Sequence, residues 1–180
     1  RTTVFGRTTE NRIDAALQHS TPMDVGQNVL ALEIEEGWLL FETGASSVTT
    51  YATAGQLKTN LANAGISESD VTALLPTHGH LDHLGGVVDA AGFVNFPNAA
   101  LHLSDREHAF WVDEARFSGA SARSAQIART NLMGAGERLV LFRDGADIRS
   151  YIHAVPTPGH TPAHTSFMIS GTAPALFVAG

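Results

Sequence analysis

Residues 77–86, THGHLDHLGG, set three histidines and an aspartate within six positions, directly behind the apolar run VTALLP. His78 and His80 are two apart, a spacing from which an extended or loop backbone can deliver both imidazoles to one metal ion. Asp82 and His83 follow at once. A carboxylate oxygen and an imidazole nitrogen are both good zinc ligands at about 2.0–2.2 Å, so this pair suits a second ion. Gly79 and the pair Gly85-Gly86 let the loop bend tightly and approach an ion closely, which residues with a Cβ resist. A histidine-rich surface loop would need neither those glycines nor a buried strand in front of it. The chain has no cysteine, so disulfides and thiolate metal sites are excluded, and any ion is held by histidine and carboxylate.

The elements that must carry this loop can be read on either side of it. In VLALEIEEGWLLFETG, Leu30, Leu32 and Ile34 share one face and Glu33 and Glu35 the other; after a turn at Gly37 the run is apolar on both faces, predicting a hairpin that ends at Gly44. Leu57, Leu61 and Ala64 recur at helical spacing and stop at Gly65, a residue at ease in a left-handed C-cap. Ser67 and Asp70 stand at capping-box spacing before the strand that delivers the histidines. Strand ends are where α/β folds place their sites. Further on, AALHLS reads as a strand, SDREHAFWVDE as a helix capped by Ser104 with Glu107 three residues later, and SARSAQIARTNLMG as a helix ended by Gly134. RLVLF, YIHAVPTP, TSFMIS and ALFVAG read as four short strands, with turns at Asp144-Gly145 and Gly171.

Composition narrows the function classes. With 180 residues, 43% apolar and 16% charged, the chain suits a single α/β domain over residues 1–180 with a real core. Its formal charge is −7, and Lys58 is its one lysine beside ten arginines. No basic cluster forms, so nucleic acid is not an expected partner and a small-molecule substrate is. No apolar stretch approaches the ~20 residues a membrane span needs. The opening RTTVFGRTTENR has neither a methionine nor an apolar leader core, consistent with processing or with a start inside a longer chain. Cytoplasmic, periplasmic and secreted settings all stay open.

The segment THGHLDHLGG resembles the H-x-H-x-D-H signature of the metallo-β-lactamase superfamily, and the other segments follow in that family's order. LLFETG is similar to the strand and turn where the family usually carries an aspartate; Glu42 stands there in this chain. TPGHTPAH, residues 157–164, is similar to the next ligand block, whose first histidine, His160, completes with His78 and His80 the ligands of one ion. That set also makes chemical sense by itself. Three neutral imidazoles on zinc leave a fourth position for water and lower its pKa to about 7. Without the cluster, His160 would read as an ordinary loop residue after Pro158-Gly159. His164 reads as a polar residue opening a strand, His102, His108 and His153 as ordinary surface or half-buried histidines, and Phe110 and Trp111 as core packing.

The resemblance implies a four-layer αβ/βα sandwich of which this chain forms the first part, its second half incomplete. It implies two divalent ions, zinc foremost with iron or manganese as alternatives, the first held by His78, His80 and His160 and the second by Asp82 and His83. Asp82 would also orient the nucleophile and shuttle its proton. The implied activity is hydrolysis of an ester, lactone or organophosphate by metal-bound hydroxide, nearest in look to the lactonase and methyl-parathion-hydrolase-like branch. A glyoxalase II-type thioesterase is the rival, followed by a mono-iron oxidoreductase like the persulfide dioxygenases and by an inactive metal-binding fragment. The family's bridging aspartate and last histidine would lie beyond Gly180. A chain ending there is expected to leave the inner face of its last sheet bare, to dimerise or aggregate, and to hold the second ion weakly.

Overall fold

The computed structural model describes residues 26–45, 53–171 and 174–180. The predicted hairpin is present: β1 (Leu30–Ile34) runs antiparallel to β2 (Gly37–Phe41), with Leu32 opposite Leu39. Gly37 holds φ at 130°, and a Cβ there would lie 2.4 Å from the Asp70 carbonyl oxygen, so the turn can close against the next strand only with glycine. Strand β3 (Val71–Leu75) lies parallel to β2, β4 (Ala100–Ser104) parallel to β3, and β5 (Leu139–Phe142) parallel to β4. This gives a five-stranded sheet in the order β1-β2-β3-β4-β5.

Parallel neighbours need crossovers, and helices supply them. The described ones are α1 (Leu57–Asn63), α2 (Leu81–Leu84), α3 (Asp105–Val112) and α4 (Ala120–Ala135). They pack on one face of the sheet, where Leu40, Val71, Leu74, Leu101 and Leu103 meet Leu61, Leu84, Trp111, Ala125, Ala128 and Leu132. The opposite face, carrying Leu39, Phe41, Ala73, Leu75 and Phe142, is covered by a second sheet through Ile152, Ala154, Phe167 and Ile169. Strands buried on both faces read as continuous apolar runs, which is why WLLF and VTALL show no alternation.

The second sheet is antiparallel and four-stranded: β6 (Asp147–Arg149), β7 (Ile152–Pro156), β8 (Thr165–Ile169) and β9 (Leu176–Val178), in that order. The described layers are therefore helices, mixed sheet, antiparallel sheet. The inner face of the second sheet, expected to lie bare, is covered by the first. Among the described residues it is the outer face that lies open, with Phe177 51% exposed.

Several local expectations change in the structure. The Ser67–Asp70 capping box forms, but it closes a 3₁₀ turn, Glu68–Asp70, that feeds straight into β3. Helix α4 runs past Gly134 to Ala135 and ends at Gly136, whose φ is 54°. Gly134 is instead a packing glycine, since a Cβ there would lie 2.2 Å from Val88 Cγ1. Ser104 precedes α3 without capping it, and Glu107 faces inward, fully buried. The three-residue strand β6 escaped the sequence reading because a single apolar residue, Ile148, between two charged ones is too little to show alternation. Among the described residues no helix is long and apolar enough to cross a membrane.

Candidate metal centre

Three loops converge at one end of the two sheets. The first leaves β2: Glu42 takes φ 74°, the one described non-glycine residue with positive φ. Such a conformation is strained for a side chain with a Cβ and persists only when its surroundings hold it. Here the holding groups are visible. Both carboxylate oxygens accept the Thr77 N–H at 3.2–3.3 Å, and Oε1 also accepts the Thr77 hydroxyl at 2.6 Å. Next to it, the Thr43 N–H and hydroxyl donate to the His83 carbonyl at 2.8 and 2.9 Å, pinning α2 against the end of β2.

The second loop follows β3 and carries the histidines. Thr77 Oγ1 spends its only proton on Glu42, so toward His78 Nδ1, 3.0 Å away, it can only accept. His78 therefore carries its proton on Nδ1 and turns a bare Nε2 lone pair into the centre. His78 is fully buried, and its side chain is held neutral far below the ordinary histidine range by burial and by its imidazole neighbours. His80, at the start of α2, is pulled down to about 4, first by burial and then by His160.

The third loop joins β7 to β8 and brings His160. It is shaped by Thr157 N–H to the His164 carbonyl at 2.8 Å and Gly159 N–H to the Thr161 carbonyl at 2.9 Å. It is tied to the second loop by Thr165 N–H to the Thr77 carbonyl at 3.0 Å. His80 Nδ1 then stands 2.9 Å from His78 Nε2 and 3.0 Å from His160 Nε2. All three nitrogens lie within 4.8 Å of one another. Nitrogen donors at about 2.0–2.1 Å from a tetrahedral zinc sit a little over 3 Å apart, so the two short separations, both made by His80, need to open by only a few tenths of an ångström to admit the ion. The lowered His78 and His80 rings, the fixed His78 tautomer and the convergence of three imidazole nitrogens fit a divalent cation.

Asp82 and His83 pair with each other beside this group, His83 Nε2 lying 3.4 Å from Asp82 Oδ2. His83 Nδ1 is 3.2 Å from Glu42 Oε2 but out of line for a hydrogen bond. Burial alone would lower His83; the Asp82 and Glu42 carboxylates outweigh it and raise the ring to about 9. Burial likewise pushes the Asp82 carboxyl up, and the His83 ring more than offsets it, leaving Asp82 below the usual carboxylate range.

Sequence reasoning missed four participants. His164, read as a strand-opening residue, is buried with its ring centroid 5.0 Å from that of His78, and its Nδ1 meets the Thr157 hydroxyl at 2.8 Å. Thr77 and Thr161 gave no signal beyond flanking the histidines. Glu107 was masked by its capping-box spacing from Ser104. Trp111 belongs to the helix-side core as expected, yet its ring also stands 5.2 Å from His80 in an edge-to-face contact. The end of β9 reaches the same place, for a Cβ on Gly180 would lie 2.2 Å from Thr77 Oγ1 and 2.9 Å from His164 Nε2.

This arrangement has solved and curated counterparts. The chain is similar to AidC, a dizinc quorum-quenching lactonase solved with a product, N-hexanoyl-L-homoserine, at a TM-score of 0.83 and 25% identity, covering 95% of this chain and 63% of that one. It is similar to the hydrolase AbOPH of the β-lactamase superfamily at a TM-score of 0.71 and 27% identity, over 80% of this chain and 52% of that one. In sequence it is 26% identical over 140 residues to the hydroxyacylglutathione hydrolase of Saccharophagus degradans, covering 78% of this chain and 44% of the relative. The chain thus spans less than two thirds of the length of each. A family model described as the metallo-beta-lactamase superfamily matches residues 23–173, and with its histidine loops at the ends of two stacked sheets the chain belongs to that superfamily.

Proposed function

We propose that the chain carries the metal-binding half of a hydrolase that opens lactones or esters. The observation that carries this reading is the convergence of His78 Nε2, His80 Nδ1 and His160 Nε2 within 4.8 Å of one another. His78, His80 and His160 would hold the first ion, and Asp82 with His83 would contribute to a second. When bound, zinc supplies a water acidified to about neutral pH and a Lewis acid for the scissile carbonyl.

The chain's own residues do the rest. Thr77 and Glu42 fix the His78 tautomer. Asp82, part exposed and held below the usual carboxylate range, would accept a proton from the attacking water at Oδ1, the oxygen that does not carry the His83 contact, and return it to the leaving alkoxide. The structural likeness to a dizinc lactonase favours a lactone. The hydroxyacylglutathione hydrolase relative supports a thioester as the second reading.

Metal content and two substrates decide. Protein purified without chelators should carry zinc and lose activity to a chelator, and it should hydrolyse an N-acyl homoserine lactone faster than a hydroxyacylglutathione. The reverse preference would select the thioesterase reading. Iron as the bound metal would favour the oxidoreductase, and no turnover of either substrate by zinc-loaded protein would overturn the hydrolase.

A further inference from the structure

Glu107 is a carboxylate with no exposed surface, on a helix that supplies none of the converging histidines. Its Oε1 accepts the Gly79 N–H at 3.0 Å and the Trp111 indole N–H at 2.7 Å. Its Oε2 accepts the Thr161 hydroxyl at 2.8 Å. Gly79 is the residue between His78 and His80, and Thr161 follows His160. One side chain thus grips both histidine loops, which also meet through the Thr165 to Thr77 backbone bond on the other side of His78 in the chain. Burying a carboxylate costs several kcal/mol unless it is hydrogen-bonded. A fold that needed only to fill this space would use an apolar side chain.

The neighbouring residues show why the grip is tight. A Cβ on Gly79 would fall 2.3 Å from Trp111 Nε1, so the indole lies directly against the loop backbone while donating to Glu107. Thr161 sends its carbonyl to the Gly159 N–H, so the residue that Glu107 holds also shapes the turn that presents His160. Loop, helix and second loop become one rigid body around the gap between His80 and His160.

We propose that Glu107 is a positioning residue that sets the spacing of His80 and His160, and through it the affinity for the first metal ion, without touching that ion. The inference rests on the metal-centre reading above. Groups that orient ligands from one step back typically change metal affinity 10–100-fold when removed.

The isosteric amide tests the geometry. In Glu107→Gln the amide oxygen can take both N–H donors while its NH₂ meets Thr161, whose hydroxyl can turn round to accept. All three contacts survive without the charge. Zinc affinity is measured by competition with a chromophoric chelator, and cobalt absorption bands report ligand geometry. Glu107→Ala should bind zinc about 100-fold more weakly, Thr161→Val about tenfold, and Glu107→Gln within about threefold of the unaltered protein. Thr161→Val keeps the test decisive if Glu107→Ala fails to fold. Equal affinity and unchanged cobalt bands in Thr161→Val and Glu107→Ala would overturn the positioning role and leave the metal centre standing. A Glu107→Gln loss as large as that of Glu107→Ala would also overturn it, by showing that charge rather than spacing matters. Unaltered protein that takes up no zinc would bring down the metal-centre reading itself, and this inference with it.

Discussion

Thr77 shows how one hydroxyl can decide the chemistry of a neighbouring ring: having given its proton to Glu42, it leaves His78 a single tautomer. On the proposed reading, removal of the Asp82 carboxylate would separate catalysis from metal storage. Asp82→Asn keeps the size and one oxygen donor but loses the base; the first ion should stay on His78, His80 and His160 while hydrolysis falls by about two to four powers of ten, as for loss of a general base. Metal analysis beside steady-state rates checks both halves, and near-full turnover would remove Asp82 from the reaction. The same cluster makes the metal-free protein sensitive to pH. His80 sits near 4 when folded, so from about 6.5 down to 4 the unfolded chain binds the extra proton and stability falls with falling pH. His83 sits near 9, so the stability it adds is complete below about 6.5 and is lost as pH rises toward 9. Thermal unfolding of chelator-treated protein should therefore peak near pH 6.5, and a flat profile from 5 to 9 would contradict it. His78, His80 and His83 could be singled out from the sequence because H-x-H-x-D-H is a local pattern, and His160 only through the resemblance of TPGHTPAH to the next block. Glu107 and His164 could not, because what makes them matter is contact across 28 and 86 positions, with Gly79 and His78 respectively.

At the scale of elements, the site depends on how closely backbones approach. A Cβ on Gly86 would lie 2.2 Å from the Thr43 carbonyl oxygen, an obstacle that cannot rotate away. The Gly86 N–H also donates to Thr43 Oγ1 at 2.9 Å, the hydroxyl that holds the His83 carbonyl. Gly86→Ala should push α2 off the end of β2 at a cost of about 1–3 kcal/mol, the span of overpacking in a tight interior. Thermal or denaturant unfolding reads the loss, and an unchanged midpoint would mean that the loop relaxes freely. The first strand of the hairpin and the long helices were readable because each repeats a period over enough residues, and the strand before the histidines because it is an apolar run bounded by turn signals. Helix ends were not: Gly134 and Gly136 are two apart, and only the structure shows that the first packs on Val88 while the second, at φ 54°, ends the helix.

For the molecule as a whole, the layer order explains where it should stick to itself. The second sheet shows the solvent Phe177 at 51% exposure on its last strand, while β5 at the edge of the first sheet leaves Val140 and Leu141 at 41% and 45%. Apolar side chains on unpaired strand edges invite pairing with another chain. Light scattering on this chain should show dimers or larger species, and Phe177→Lys should lower the mean mass, because a charge on an edge strand opposes pairing. A monodisperse monomer before substitution would refute this. The sequence could not say which face of the second sheet is covered, since alternation marks two faces without naming the partner of either.

His80 and His160 are 80 positions apart and sit on loops from different sheets. Their meeting depends on the docking of the sheets, a non-local event that comes late because a long loop must first be closed. An ion captured there arrives after the main barrier to folding has been crossed, and so stabilises the finished structure rather than the route to it. In stopped-flow experiments zinc should slow unfolding while leaving the refolding rate as it is in chelator. The centre would then serve as a kinetic latch, giving the molecule a longer folded lifetime from contacts that play no part in reaching the fold.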